Sequence, residues 1–146
     1  MKRGIAVFAL LLLTAPLAFA QDADQAARVA QHQAAFQADP IRTYLEDAQA
    51  MCGAADLVAD GIMPASTLNE TKEREEQEAI AVIRAAHNNP ALQEDLKKVR
   101  IAESTCVDVG GHHDEPELLA RARSDQLQAK LKEAIQAAKL DMEVQQ

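Results

Sequence analysis

The chain has 146 residues and carries 15 Lys and Arg against 23 Asp and Glu, a formal net charge of −8 at pH 7. Such a surface repels nucleic-acid phosphate and anionic lipid, so a nucleic-acid partner is not expected. The length suits one domain, and with only 3% aromatic residues its core must be built from Ala, Leu, Ile and Val.

Residues 1–20 read as a cleavable export signal. Lys2 and Arg3 precede an apolar run over 5–13, Pro16 breaks it, and Ala18-Phe19-Ala20 stands before the polar Gln21. The run is too short to cross a bilayer, which takes about 20 apolar residues. No Cys follows the cleavage point, and a soluble periplasmic or secreted protein without stable membrane insertion is expected. Cleavage removes two basic residues and no acidic ones, leaving 126 residues with a net charge of −10 and only Phe36 and Tyr44 as aromatics.

Residues 21–39 form a weakly amphipathic leading helix in which Ala26, Val29, Ala30 and Phe36 fall near one stripe. The bundle domain is expected over 40–146. Asp39-Pro40 supplies a cap and a first-turn proline. From there Ile41, Leu45, Ala48, Cys52, Ala55, Ala59 and Ile62 recur at steps of three and four, the period of a buried helical face. Gly61 to Pro64 end that helix, and Thr67-x-x-Glu70 predicts a capping box for a helix over 68–87. Its charged opening, 70–78, contains the i,i+4 pairs Glu70–Arg74, Lys72–Glu76 and Arg74–Glu78 and reads as a solvated face. Ala79, Ile80, Val82, Ile83 and Ala86 turn it apolar.

Asn88-Asn89-Pro90 restarts the chain, and Leu92, Leu96, Val99, Glu103 and Cys106 then share one stripe. After the loop 108–113, Asp114-x-x-Glu117 reads as a capping box for a final helix with Ala120, Ser124, Leu127, Leu131, Ile135, Ala138 and Met142 inward. No alternating β-branched runs point to strands. The expected fold is all-α, an antiparallel four- to five-helix bundle with short connections.

Cys52 and Cys106 are two cysteines in a chain bound for an oxidising compartment, each on the inner face of its own helix. A bridge between them pins the second helix to the fourth. It closes a 54-residue separation, for which chain entropy gives about 4 kcal/mol.

The one local cluster of ligand-type side chains is His112, His113 and Asp114, whose imidazoles and carboxylate suit Zn, Cu or Ni. A glycine turn followed by a helix cap explains the same residues without a metal. His32 and His87 stand alone, and Met51 and Met63 read as packing residues. Cys-x-x-Cys-His is absent, which excludes covalently attached haem. No nucleophile with a base and no phosphate loop occurs in a diagnostic context, so a non-enzymatic protein without a cofactor is expected.

These features point to a small exported helical binding protein of the cell envelope whose partner is another envelope protein. The layout resembles small helical periplasmic immunity proteins of the type VI secretion amidase systems. The features that carry this are the export signal, Cys52 on a helix, the break between Pro64 and Leu68, a helix closing at Asn89-Pro90, and Cys106 ending the next one. The resemblance covers about half the chain and implies inhibition of a secreted toxin hydrolase. Two alternatives stand beside it: metal binding through the His112-His113 loop, and an envelope stress chaperone, although the Leu-Thr-x-x-Gln repeats of such chaperones are absent.

Overall fold

The computed structural model describes residues 15–110 and 117–144. The chain divides into two units, Met1–Ala38 and Asp39–Gln146. In the first, α1 (Ala15–Ala38) runs unbroken through Ala20 and Gln21. In the second, α2 (Pro40–Ala59), α3 (Ala65–Ala85), a short 3-10 turn (Ala86–Asn88), α4 (Pro90–Gly110) and α5 (Glu117–Glu143) follow in order. The fold is all-α, an antiparallel bundle, with no strand among the described residues. No helix among them is long and apolar enough to cross a membrane.

The starts of α2 and α4 follow the same chemistry. Asp39 accepts a hydrogen bond from the Arg42 backbone N–H at 3.3 Å, and Pro40 occupies the first turn, where a missing N–H costs nothing. Asn89 accepts from the Leu92 N–H at 3.2 Å ahead of Pro90. The end of α2 is a Schellman motif. Ile62 N–H reaches the Leu57 carbonyl at 2.9 Å and Gly61 N–H the Val58 carbonyl at 3.0 Å, with Gly61 at φ +73°. A side chain at that φ is strained, so glycine is the residue that closes this turn.

The expected capping box at Thr67 does not form. Helix α3 begins three residues earlier, at Ala65, with Pro64 as an extended N-cap lacking a side-chain cap bond. Thr67 lies inside the first turn, and its carbonyl accepts from the Thr71 hydroxyl at 3.0 Å. The Gly61 turn and Pro64 already aim the chain into a helix, so the later capping signal has no terminus to serve. Asp114, the cap expected before α5, lies outside the described residues.

Helices α2 and α4 pack along each other at the centre, with α3 against both on one side and α5 against both on the other. Leu45, Ala48, Cys52 and Ala55 of α2 meet Leu92, Leu96, Val99 and Cys106 of α4, all buried. Leu131, Ile135 and Ala138 of α5 complete the seam, and Ala79, Val82 and Ala86 face in from the α3 side. Ile62, expected on the inward stripe, is 71% exposed because the Schellman turn has already left the helix. Cys52 and Cys106 are bridged, with Cα atoms 5.5 Å apart, so the disulfide ties the two central helices. Both cysteines are about 1% exposed.

Candidate functional site

Three inward-facing stripes bring acids together inside the second unit. On α2, Tyr44, Asp47 and Met51 step by three and four. Thr71, Glu75, Glu78 and Val82 do the same on α3, and Val99, Glu103 and Cys106 on α4. Tyr44, Glu75, Glu78 and Glu103 are buried and Asp47 is half-buried. The reading of 70–78 as a solvated face is therefore corrected at two positions. Glu75 and Glu78 turn into the bundle, while Glu70, Lys72, Glu73, Arg74, Glu76 and Gln77 remain outside.

Of the local charge pairs read from the sequence, Arg74–Glu78 is made at 3.8 Å. Lys72 and Glu76 reach across helices instead: Lys72 Nζ pairs with Asp108 at 2.6 Å, and Arg100 pairs with Glu76. Antiparallel packing of α3 on α4 offers these partners, and sequence spacing on one helix does not show them.

At the centre of the cluster the Tyr44 hydroxyl donates to Glu103 Oε2 at 3.0 Å. Glu75 lies within hydrogen-bond reach of the same carboxyl. Two ionised carboxylates are both acceptors, and in that state neither Glu75 oxygen has a partner. Burial alone raises the Glu75 pKa strongly. The hydrogen bond with Glu103 and the charges of Glu103, Asp47 and Glu78 add to this and push it up to about 10. Glu75 therefore holds a proton at neutral pH and donates it to Glu103. Burial also raises Glu103, but the hydrogen bonds from Glu75 and Tyr44 oppose that shift by stabilising its charged form. Tyr44 is pushed far up by burial and then by the Glu103 charge, so it stays a neutral donor. Glu103 thus receives the Tyr44 O–H and the proton of Glu75.

A cavity of about 30 Å³ adjoins this pair, walled by Met51, Glu75, Glu103 and Val107, with Lys72 and Arg100 at its exposed side. It has room for one water-sized occupant. On the other face of Glu75, a shallow cleft of about 200 Å³ is lined by Asp47, Met51, Met63, Thr71 and Arg74 among others. A hydroxyl donor, a protonated carboxyl and a carboxylate beside a small cavity can hold a proton or a small cation.

The sequence-predicted metal residues His112, His113 and Asp114 lie outside the described residues. His87 is exposed on the 3-10 turn, with a ring nitrogen 3.2 Å from the Arg84 carbonyl, and His32 lies on α1 in the first unit. Met51 is buried in the cavity wall and Met63 is half-buried at the cleft. Sequence reasoning places Glu103 on the inward stripe without assigning it a role, and it misses Tyr44, Glu75 and Glu78. Their signal is the same three-and-four spacing, running through Leu68, Thr71, Glu75, Glu78 and Val82.

No protein-family model matches the chain, and it matches neither a curated protein nor a solved structure.

Proposed function

We propose that the chain is a small exported, non-enzymatic binding protein of the cell envelope, with another envelope protein as its partner. The observation that carries this reading is the Cys52–Cys106 bridge between the two central helices. Buried bridges of this kind persist in oxidising compartments and are rare where thiols are kept reduced. The export signal over 1–20 gives the route to such a compartment. A surface on α3 and α4 supports the binding role. There Ile101, 67% exposed, borders a shallow cleft of about 420 Å³ with Glu76, Lys97, Arg100 and Thr105. Ile101 offers an apolar centre and the surrounding charges a polar rim, the two parts from which protein interfaces are built.

Expression of the full chain with a C-terminal tag, followed by fractionation and intact-mass analysis, tests the address. The expected product begins at Gln21, carries the disulfide and leaves the cytoplasm. A full-length cytoplasmic product with two free thiols would overturn the reading. Photo-crosslinking in cells tests the binding role, with the reactive residue at position 101 and a control at the exposed Leu140. A discrete adduct from 101 alone is expected, and equal labelling from both positions counts against the patch. The resemblance to immunity proteins supports a narrower partner, a secreted toxin hydrolase. Co-expression with a toxin encoded beside the gene should then protect the cells.

A further inference from the structure

The carboxyl pair poses a question that protein binding leaves unanswered. Glu75 is 3% exposed, its two oxygens face no N–H or O–H donor, and its polar neighbour is another carboxylate. Something positive must lie between Glu75 and Glu103. The charges of Asp47 and Glu78 add to the negative field at Glu75, and Glu78 is itself paired with Arg74 at 3.8 Å. Lys72 and Arg100 at the exposed side pair with Asp108 and Glu76. The cavity of about 30 Å³ touching both Glu75 and Glu103 fits one small occupant.

We propose that this cavity is a binding site for one hard divalent cation, of the Mg²⁺, Mn²⁺ or Ca²⁺ class, held by the carboxylates of Glu75 and Glu103. The chemistry of the donors selects the class. Both ligands are carboxylate oxygens, which suit hard cations and are poor competitors for soft ones. The cysteines of this region are locked in the bridge, so no thiolate competes for zinc or copper at the site. The cation takes the place of the proton on Glu75, which leaves to solvent, and water at the exposed side of the cavity completes the coordination. Tyr44 keeps its hydrogen bond to Glu103 Oε2 and so orients that ligand. Its ligands are neither His112 nor His113, its exposed rim shares Glu76 and Arg100 with the Ile101 cleft, and it stands or fails independently of the proposed envelope role.

The test is calorimetric titration of the disulfide-intact chain, stripped with chelator, with MgCl₂, MnCl₂ and CaCl₂ at pH 8, alongside thermal unfolding at matched ionic strength. Saturable binding of one ion per chain and a rise in Tm are expected for at least one of the three. Glu75→Gln keeps the size of the side chain and a donor for Glu103, so it stays folded, checked by circular dichroism, while its affinity falls at least thirtyfold. A His112→Ala, His113→Ala double variant retains the wild-type affinity. Three results overturn the proposal: no saturable binding of any of the three ions, unchanged affinity in folded Glu75→Gln, or loss of binding in the double histidine variant.

Discussion

In chelator, with no metal present, replacing Glu75 by glutamine should stabilise the protein, and the gain should grow with pH. The folded state holds a proton on Glu75 up to about pH 10, whereas an ordinary glutamate releases it near 4.5. A raised carboxyl pKa means that its favourable contribution is fully present below 4.5 and is lost progressively as pH rises toward 10. Each pH unit inside that window costs about 1.4 kcal/mol, because the folded chain must take up a proton that the unfolded chain has shed. At pH 7 the cost is about 2–3 kcal/mol once solvent relaxation around the cluster is counted. In the Glu75→Gln variant the side-chain amide donates an N–H to Glu103 without proton uptake, so the variant escapes this cost. Between pH 5.5 and 7.5 its stability advantage over wild type should widen by about 2–3 kcal/mol. Urea unfolding followed by circular dichroism at pH 5.5, 6.5 and 7.5 measures it, and comparing the two proteins cancels the titrating groups that Glu75 does not touch. A gap that is absent, or that narrows as pH rises, would refute the shared-proton reading.

Serine at both Cys52 and Cys106 should lower stability by about 2–4 kcal/mol in urea, the range for a bridge closing a loop of this length. Tyr44→Phe removes the O–H donor to Glu103 and should cost about 1.5–3 kcal/mol at pH 7 by the same assay, since the acceptor is charged and buried. Gly61→Ala places a side chain at φ +73° and should cost about 1 kcal/mol with no change in the circular dichroism spectrum. A double-mutant cycle joining Tyr44→Phe to the cysteine pair should show a coupling above about 0.5 kcal/mol, because both act on the spacing of α2 and α4.

Much of the bundle is legible in the sequence because burial in helices repeats every three or four residues. The stripe from Leu45 through Cys52 to Ala55 and the stripe from Leu92 to Cys106 are buried as their spacing predicts, and together they imply the bridge. The start of α3 differs from its expected place for a local reason, a capping signature competing with a turn three residues upstream. The acid cluster is hidden for a different one. Glu75 and Glu78 sit within a run whose alternating charges satisfy the rule for an exposed helix. Their three-and-four spacing with Leu68, Thr71 and Val82 marks an inward stripe, which the charged residues around them mask. Glu103 is the available clue: an acid between Val99 and Cys106 on an apolar stripe requires a partner, and Tyr44 and Glu75 are the residues that supply one.

The bridge and the acid pair occupy one neighbourhood, and their energies bear on each other. Glu103 lies three residues before Cys106 on α4, about 4.5 Å along the helix axis. Met51 and Val107, which precede and follow the two cysteines in sequence, form the apolar walls of the cavity beside Glu75. A core assembled from alanine and a few aliphatic side chains has little packing energy to spare, yet it carries a group whose protonation costs about 3 kcal/mol at neutral pH. The disulfide contributes a term of about 4 kcal/mol, of the same order and opposite sign. It also fixes the separation of the two central helices, which sets the reach of the Tyr44 hydroxyl to Glu103. A bundle without the bridge would relieve the buried charge by letting α2 and α4 part and admitting water. With it, the carboxyls stay close, the condition under which they share a proton and under which a cation can take its place.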